Sequence, residues 1–268
     1  MLTGFNGATS MKYDLLSDIV SASEAGFDVL EIWKTKLFEA LKNHSMADIL
    51  SNFVKHGIEP YSINSLEQAT FSRDFKEKLE ECEMLCTLAQ DVRAKVLIVV
   101  PGFIQQELSQ EEIKKETVGT LKEFSKLADH YEIKLAFEFL GFRNCSVNNL
   151  NLARQIVESV GRKNVGLVID TCHLFAGGST LKDVENTDPS TILIVHINDL
   201  PKIEKRQVQD SDRVMPTDGI LPLSDFIKTL RKIGYSGVIS VELFNEEYWK
   251  LDSKQIAQIS YEKLAKLL

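Results

Sequence analysis

Short apolar runs typical of β-strands alternate with helix-like segments along the whole chain of 268 residues. Most of these runs are apolar on both faces, which is typical of strands in a parallel sheet that is covered on both sides. The runs are LTGFN (2–6), DVLEIW (28–33), IEPYSIN (58–64), KVLIVV (95–100), IKLAFEF (133–139), VGLVID (165–170), ILIVHIND (192–199) and VISVELF (238–244). Their order predicts an α/β protein built from βα units.

Segments with helical periodicity lie between the runs, and several carry end signals. Gly26 and Gly57 each follow such a segment, at the position where a left-handed residue commonly ends a helix. Ser109 and Glu112 form the pattern of a capping box at the start of another segment. The predicted helices span 12–26, 46–57, 72–93, 109–130, 148–161, 223–234 and 253–268.

Eight βα units in a chain of this length predict a single-domain (β/α)8 TIM barrel over residues 1–268. The alternative is an open doubly wound sheet, which usually has a GxGxxG turn after its first strand. Here the first predicted strand runs into FNGATS, a poor match to that turn. The longest irregular stretch, 199–222, follows the seventh strand, so a barrel would place it at the C-terminal face, where active sites form.

Composition narrows the class of protein further. The formal net charge of −8 argues against a nucleic-acid-binding surface, which would normally be basic. No apolar stretch reaches the roughly 20 residues needed to span a bilayer, and the N-terminus lacks a signal-peptide pattern. The four cysteines include no CxxC pair and are expected to be buried and reduced. We therefore expect a cytoplasmic protein with no nucleic-acid or membrane partner.

Four consecutive predicted strands in the second half of the chain each end on a side chain that can bind a metal. These side chains are Glu138, Asp170, His196 and Glu242. A buried carboxylate without a partner is very costly, so these strand ends need a compensating group. In a barrel, neighbouring strand ends lie about 4.8 Å apart and face one mouth. The sequence therefore predicts a site for one divalent cation, and this donor set suits Zn²⁺, Mn²⁺, Mg²⁺ or Co²⁺.

The remaining histidines and one cysteine are weaker candidates. His173 follows the sixth strand closely, and four roles stay open: metal ligand, general acid, hydrogen-bond donor to a substrate, or ordinary loop residue. His44, His56 and His130 lie away from strand ends and are expected to be surface or structural residues. Cys172 is not expected to bind the metal, because three carboxylates already serve the site.

Longer segments around these residues resemble the xylose-isomerase-like TIM-barrel superfamily of sugar isomerases and epimerases, and within it the inosose isomerases of inositol catabolism. The resemblance covers almost the whole chain and implies the barrel fold. The segments that carry it are FNGATS (5–10), EIWKTKLFEALKNHSMADIL (31–50), EEIKKETVGTL (111–121), LAFEFLGFRNCSVN (135–148), NVGLVIDTCHLFAGGS (164–179), VHINDL (195–200), DRVMPTDG (212–219) and SVELFNEEYWKL (240–251).

The resemblance also implies site residues. The metal-binding residues of the family fall on Glu138, Asp170, His196 and Glu242. The family's next histidine falls on His173, and the arginine of the loop after strand seven falls on Arg213. That loop often reads R-x-x-P-G-x-G in the family, whereas Thr217 stands here at the first glycine position. This difference can alter the turn without removing the arginine.

The activity that the resemblance implies is interconversion of 2-keto-myo-inositol and 1-keto-D-chiro-inositol through a metal-chelated enediolate. Glu138 and Glu242 would bind the metal and also move protons. His173 and Arg213 would donate hydrogen bonds to substrate oxygens. Glu31 would either hydrogen-bond a distal hydroxyl or pair with a neighbouring lysine. The expected partner is a small polyol or keto-inositol, and a homo-oligomer is compatible with the sequence.

Three alternatives stay open at this point. The first is an isomerase or epimerase of another sugar, of ketohexose or hydroxypyruvate type, which would use the same ligands. The basic residues Lys202, Lys205 and Arg206 of the long loop keep a phosphosugar among those substrates. The second is an endonuclease-IV-like DNA repair enzyme, which would need several zinc ions and additional histidines. The third is a non-catalytic sugar-binding barrel.

Overall fold

Eight parallel strands close into one barrel in the computed structural model, which describes all 268 residues. The strands are β1 Leu2–Asn6, β2 Val29–Trp33, β3 Glu59–Leu66, β4 Val96–Val99, β5 Lys134–Glu138, β6 Val165–Asp170, β7 Ile192–Ile197 and β8 Val238–Val241. Each strand pairs with its neighbours in chain order, and β1 pairs with β8 to close the ring. The predicted (β/α)8 TIM barrel is confirmed, and the open doubly wound sheet is excluded.

Nine α-helices lie between the strands, and a tenth follows the last strand. They are α1 Leu15–Ala25, α2 Lys34–Leu41, α3 Met46–His56, α4 Phe75–Asp91, α5 Gln110–His130, α6 Leu150–Val160, α7 Thr171–Ala176, α8 Leu181–Glu185, α9 Leu223–Lys232 and α10 Ser253–Ala265. Seven of them match predicted helices to within a few residues. The sequence did not predict α2, α7 and α8, because they are short and because α2 and α7 follow their strands without an intervening turn.

The predicted helix ends are formed by the expected interactions. Gly26 has φ +101° and its N–H donates to the carbonyl of Ala22, which ends α1. Ser109 and Glu112 form the complete capping box at the start of α5. The helices pack around the barrel over one hydrophobic core of 59 buried residues. None of them is both long and apolar enough to cross a bilayer.

The inside of the barrel is apolar on one side and polar on the other. Strands β4 to β7 contribute one small apolar cluster, made of Val96, Ile98, Ala136, Val168 and Ile194. Strands β1 to β3 and β8 contribute buried polar side chains instead, namely Asn6, Glu31, Ser62, Asn64 and Ser240. Buried polar groups need hydrogen-bond partners, so the polar half has to be organised around other polar groups of the mouth.

The long segment after β7 is held against the barrel by one buried carboxylate. Asp199 is 1% exposed, and its side chain accepts hydrogen bonds from the N–H groups of Gly219 (3.0 Å) and Leu221 (2.8 Å). Its backbone forms an antiparallel bridge with Val214. These contacts close the loop on itself and direct Arg213, which precedes the bridge residue, into the mouth of the barrel.

Thr217, which stands where the resemblance predicts a glycine, occupies the left-handed region with φ +77°. A β-branched residue rarely adopts this conformation, which costs an L-residue about 1–2 kcal/mol. The side chain is exposed. The turn therefore uses a glycine-like backbone conformation without a glycine.

Replacing Thr217 with glycine is expected to raise the free energy of unfolding by up to about 1 kcal/mol, because relief of the left-handed strain exceeds the extra flexibility of the unfolded chain. Urea denaturation of both proteins measures the difference. Thr87→Gly, within helix α4, is the matched control and should lower stability, since glycine is a poor helix former. Lower stability in both variants would contradict the proposed strain at Thr217.

Candidate metal centre

The four predicted metal ligands meet at the C-terminal mouth of the barrel. Glu138 and Asp170 end β5 and β6, His196 is the penultimate residue of β7, and Glu242 directly follows β8. One potential ligand atom from each residue lies within 4.8 Å of the others, and all four residues are buried. We call these four residues the mouth cluster. The parallel register brings them together, since Asp170 is aligned with His196 across β6 and β7.

His196 lies at the centre of the mouth cluster and contacts carboxylates through both ring nitrogens. Its Nδ1 atom is 3.0 Å from Glu138 Oε1 and 3.3 Å from Glu242 Oε2. Its Nε2 atom is 3.1 Å from Glu31 Oε1, on the other side of the ring. Burial lowers the pKa of His196, but Glu242, Glu31 and Glu138 outweigh that effect and raise the pKa well above its usual value.

Of the two roles that the sequence left open for Glu31, pairing with a neighbouring lysine does not occur in the structure. Its carboxylate faces His196 and also accepts hydrogen bonds from Ser62 Oγ at 2.7 Å and Asn6 Nδ2 at 3.3 Å. Glu31 is completely buried, because β2 directs it into the polar half of the barrel interior. All three partners belong to the protein itself.

Arg213 reaches from the long loop into the mouth cluster and is 1% exposed. Its NH1 group donates to Glu242 Oε2 at 2.7 Å and to Asp170 Oδ2 at 3.1 Å. Its NH2 group donates to Asp210 Oδ1 at 2.6 Å and to His173 Nε2 at 3.0 Å. The resemblance predicts that this arginine contacts the substrate; in the structure it lies directly against two of the predicted ligands.

Glu242 has more hydrogen-bond and ion-pair partners than the other carboxylates of the site. Its Oε1 atom accepts hydrogen bonds from Asn64 Nδ2 at 2.8 Å and Asn6 Nδ2 at 3.0 Å, while Oε2 faces Arg213 and His196. Burial raises the pKa of Glu242, but the charges of His196 and Arg213 outweigh it and hold the pKa well below its usual range. Glu242 is therefore an anion at neutral pH.

Glu138 stands in a different environment, although it is equally buried. Its one polar contact among the side chains is the 3.0 Å approach of His196 Nδ1 to Oε1. Burial raises the pKa of Glu138 to about 7; the nearby charges of Glu242 and Asp170 add to this, while His196 opposes it. The two glutamates of the mouth cluster therefore differ in their readiness to hold a proton.

His173 lies beside the mouth cluster and is 1% exposed. Burial lowers its pKa, so the ring is neutral near pH 7. Because Nε2 accepts the hydrogen bond from Arg213, the ring proton resides on Nδ1, which has no protein partner. His173 thus offers one N–H group that a bound molecule can use.

Cys172 is close enough to Asp170 and His173 to form a second potential ligand group. Burial raises the pKa of the Cys172 thiol well above its usual value. The group around Cys172 offers one carboxylate, whereas the mouth cluster offers three. The mouth cluster, with three carboxylates and an imidazole, is therefore the better site. The other histidines, His44, His56 and His130, are on helix ends or surface turns, outside the mouth.

Sequence reasoning missed the amides that position the ligands. Asn6 and Asn64 hold Glu242, and Asn198 Nδ2 donates to Asp170 Oδ2 at 2.7 Å. Asn6 ends β1, Asn198 directly follows β7, and Asn64 lies two residues before the end of β3. The same strand-end signal that revealed the carboxylates would have found them, had it been applied to neutral side chains.

A cavity of about 930 Å³ opens at the C-terminal face, within the usual size range for small-molecule sites. Phe142, whose ring centroid is 5.1 Å from that of His173, and Phe244, whose ring lies 5.1 Å from the guanidinium carbon of Arg213, form part of its wall. The cationic residues of the lining are Arg143, Lys205 and Arg206. The cavity therefore adjoins the side chains that surround the mouth cluster.

The donor set fits a divalent cation. Its three carboxylates, together with Glu31, face only one guanidinium and one imidazole, which leaves buried negative charge for a cation to balance. The four ligand atoms lie within 4.8 Å of one another, so small side-chain movements would place all of them about 2.0–2.2 Å from one ion. Fold and site thus define a barrel protein with a divalent-metal site at its mouth.

Comparisons with known proteins agree with that definition. A family model described as xylose isomerase-like TIM barrel matches residues 19–267. The chain is 37% identical to an inosose isomerase of Bacillus subtilis, over 95% of this chain and 93% of that protein. It is 34% identical to an inosose isomerase of Bacillus velezensis, over 96% and 94%. It is also similar to the 1.8 Å crystal structure of the IolI protein with a bound zinc atom, with a TM-score of 0.97, 34% identity and coverage of 100% and 98%.

The chain belongs to the xylose isomerase-like TIM-barrel family. The superfamily predicted from the sequence is therefore confirmed. The likeness over nearly the full length also supports the predicted class of enzyme, a metal-dependent isomerase. One divalent cation as cofactor agrees with the donor set of the mouth cluster and with the zinc atom of the IolI structure.

Zinc at 100 times its dissociation constant is expected to stabilise the protein by about 2.7 kcal/mol, because the ion binds only the folded site. Thermal unfolding with and without chelator measures the shift. His196→Gln should abolish it, whereas Cys172→Ala should retain it, since the thiol is not a ligand. If Cys172→Ala lost the shift and His196→Gln retained it, the metal would be bound by the group that contains Cys172, which would contradict the assignment to the mouth cluster.

Proposed function

We propose that the chain is a divalent-metal-dependent inosose isomerase that interconverts 2-keto-myo-inositol and 1-keto-D-chiro-inositol. The observation that carries the proposal is the mouth cluster, in which two buried glutamates converge on one histidine at the end of the barrel that bears active sites in this fold. Similarity to inosose isomerases over about 95% of the chain supports the choice of substrate.

Moving a ketone to the neighbouring carbon of a polyol requires removal of a proton beside the carbonyl and its return at the other carbon. When bound, a divalent cation would supply Lewis-acid polarisation of the carbonyl. The residues of the mouth cluster that would hold it are Glu138, Asp170, His196 and Glu242. The chain itself must then move the proton and stabilise the negative charge of the enediolate.

Glu138 is the better suited of the two glutamates to move the proton. It has a single polar side-chain contact, and burial raises its pKa to about 7, so the protein itself stabilises the anion of Glu138 less than that of Glu242. Glu242 accepts hydrogen bonds from two asparagines and Arg213, which stabilise its anionic form. We therefore assign the first proton transfer to Glu138. A return of the proton by Glu242 stays a prediction.

His173 and Arg213 would stabilise the enediolate. The free Nδ1–H of His173 is a neutral donor in a buried position, which is the kind of preorganised dipole that stabilises developing charge. Arg213 is held by Asp170, Glu242 and Asp210 and fixes the Nε2 side of His173. Because the Arg213 side chain is already held in place, its positive charge would stabilise the enediolate without a rearrangement of the side chain.

Assay of the metal-loaded protein on 2-keto-myo-inositol, followed by NMR, tests the proposal. Appearance of 1-keto-D-chiro-inositol is the expected result. The same assay on ketohexoses, hydroxypyruvate and phosphosugars covers the alternatives that share the ligands, and the cationic lining of the cavity is the reason to include the phosphosugars. Turnover of one of these sugars without turnover of the inosose would overturn the assignment.

Glu138→Gln is expected to lower kcat by about 100-fold or more, the usual contribution of a general acid–base group. In D₂O, the native enzyme should introduce deuterium next to the carbonyl, and this variant should not. Metal content is measured in parallel, since Glu138 is also a proposed ligand. Glu81→Gln, which removes a carboxylate paired with Lys34 and Lys78 outside the mouth, is the control and should keep full activity. An active Glu138→Gln variant would refute the role.

A further inference from the structure

Glu31 is a buried carboxylate to which the proposed chemistry gives no task. It lies on β2 with no exposed surface, and it is not one of the four residues that can ligate a common ion. Its Oε1 and Oε2 atoms are 3.1 Å and 3.3 Å from His196 Nε2. A carboxylate buried at such a cost needs a strong partner, and this imidazole N–H provides one.

The contact determines which nitrogen of His196 is available to a metal. An imidazole that ligates a metal has one N–H donor and one lone pair, and a carboxylate such as that of Glu31 accepts hydrogen bonds. The nitrogen that keeps its proton when a cation binds is therefore Nε2, which faces Glu31, and the lone pair lies on Nδ1. Nδ1 is the nitrogen that faces Glu138 and Glu242. The ring is thus held both in the tautomer and in the orientation that metal ligation requires.

Glu31 is itself fixed by two further side chains. Ser62 Oγ donates to Oε2 at 2.7 Å, and Asn6 Nδ2 donates to Oε1 at 3.3 Å. The same Asn6 amide also donates to Glu242 at 3.0 Å, so one side chain connects Glu31 to the mouth cluster by a second route. With these contacts and the imidazole, both oxygens of Glu31 are engaged by the protein rather than turned towards a substrate.

We propose that Glu31 is a positioning residue of the metal centre, which acts by holding the Nε2–H of His196 and thereby presenting Nδ1 to the cation. It touches neither the substrate nor the cation. Ser62 and Asn6 keep the carboxylate in place. Carboxylates that hold a metal-binding histidine in this way typically contribute 10- to 100-fold to metal affinity. The inference rests on the metal site of the proposed function, but not on the identity of the substrate.

Metal titration in the absence of substrate tests the role. Zinc affinity is measured by competition with a chromophoric chelator, and the absorption spectrum of the Co²⁺-loaded protein reports the ligand geometry. Glu31→Ala is expected to weaken zinc binding by about 10- to 100-fold and to change the Co²⁺ spectrum. Glu31→Gln keeps an acceptor oxygen for Nε2–H and should fall between Glu31→Ala and the native protein. Ser62→Ala should give a smaller loss.

A second buried carboxylate provides the matched control. Asp18 is 1% exposed and pairs with Lys36 at 2.7 Å, but it has no contact with the mouth cluster. Asp18→Asn should lower thermal stability without changing zinc affinity, which separates loss of stability from loss of positioning. If Glu31→Ala does not fold, the comparison rests on Glu31→Gln and Ser62→Ala.

Two outcomes overturn the inference. Native zinc affinity in the folded Glu31 variants would exclude a positioning role. A normal affinity and Co²⁺ spectrum combined with a raised KM would mean that Glu31 contacts the substrate instead. Failure of the proposed function would look different. The native protein would bind zinc and Glu31→Ala would weaken that binding, but the protein would not convert the inosose.

Discussion

Burial of several carboxylates at one end of the barrel is the constraint on which the rest of the site depends. Glu31, Glu138, Asp170 and Glu242 are each at most 4% exposed, and no such group is stable there without compensation. The protein supplies part of that compensation through the guanidinium of Arg213 and the imidazole of His196. A divalent cation supplies charge that these two groups leave unbalanced. The mouth is thus a binding site because its negative charge exceeds what the chain neutralises.

This constraint explains two unusual parts of the fold. The polar half of the barrel interior would be a weakness in an ordinary core, but Asn6, Ser62 and Asn64 donate hydrogen bonds to the buried carboxylates. Without its contacts at the mouth, the long loop after β7 would have no evident structural role. Anchored by Asp199, it delivers the one arginine that bridges two of the ligands. The amides and the hydroxyl provide hydrogen-bond donors to the carboxylates at the strand ends, and the loop provides a full positive charge beside them.

The sequence predicted the parts of the structure that follow from periodicity and strand ends. All eight strands, seven helices and the convergence of the mouth cluster could be read from it, because apolar runs and charged strand ends leave a local signal. The lining of the site could not, because Asn6, Asn64 and Asn198 are neutral residues whose importance depends on contacts across the barrel. Glu31 illustrates the same limit, since a lysine near in sequence was a plausible partner and a histidine 165 residues away is the actual one.

The hydrogen bond between Asn6 and Glu242 spans 236 residues and joins the first strand to the residue after the last. The first of the proposed ligands along the chain, Glu138, ends the fifth strand, and the last, Glu242, follows the eighth. A nascent chain therefore lacks the complete set of proposed ligands until the eighth strand has been synthesised. A four-ligand metal site cannot serve as the nucleus on which the first half of the barrel folds.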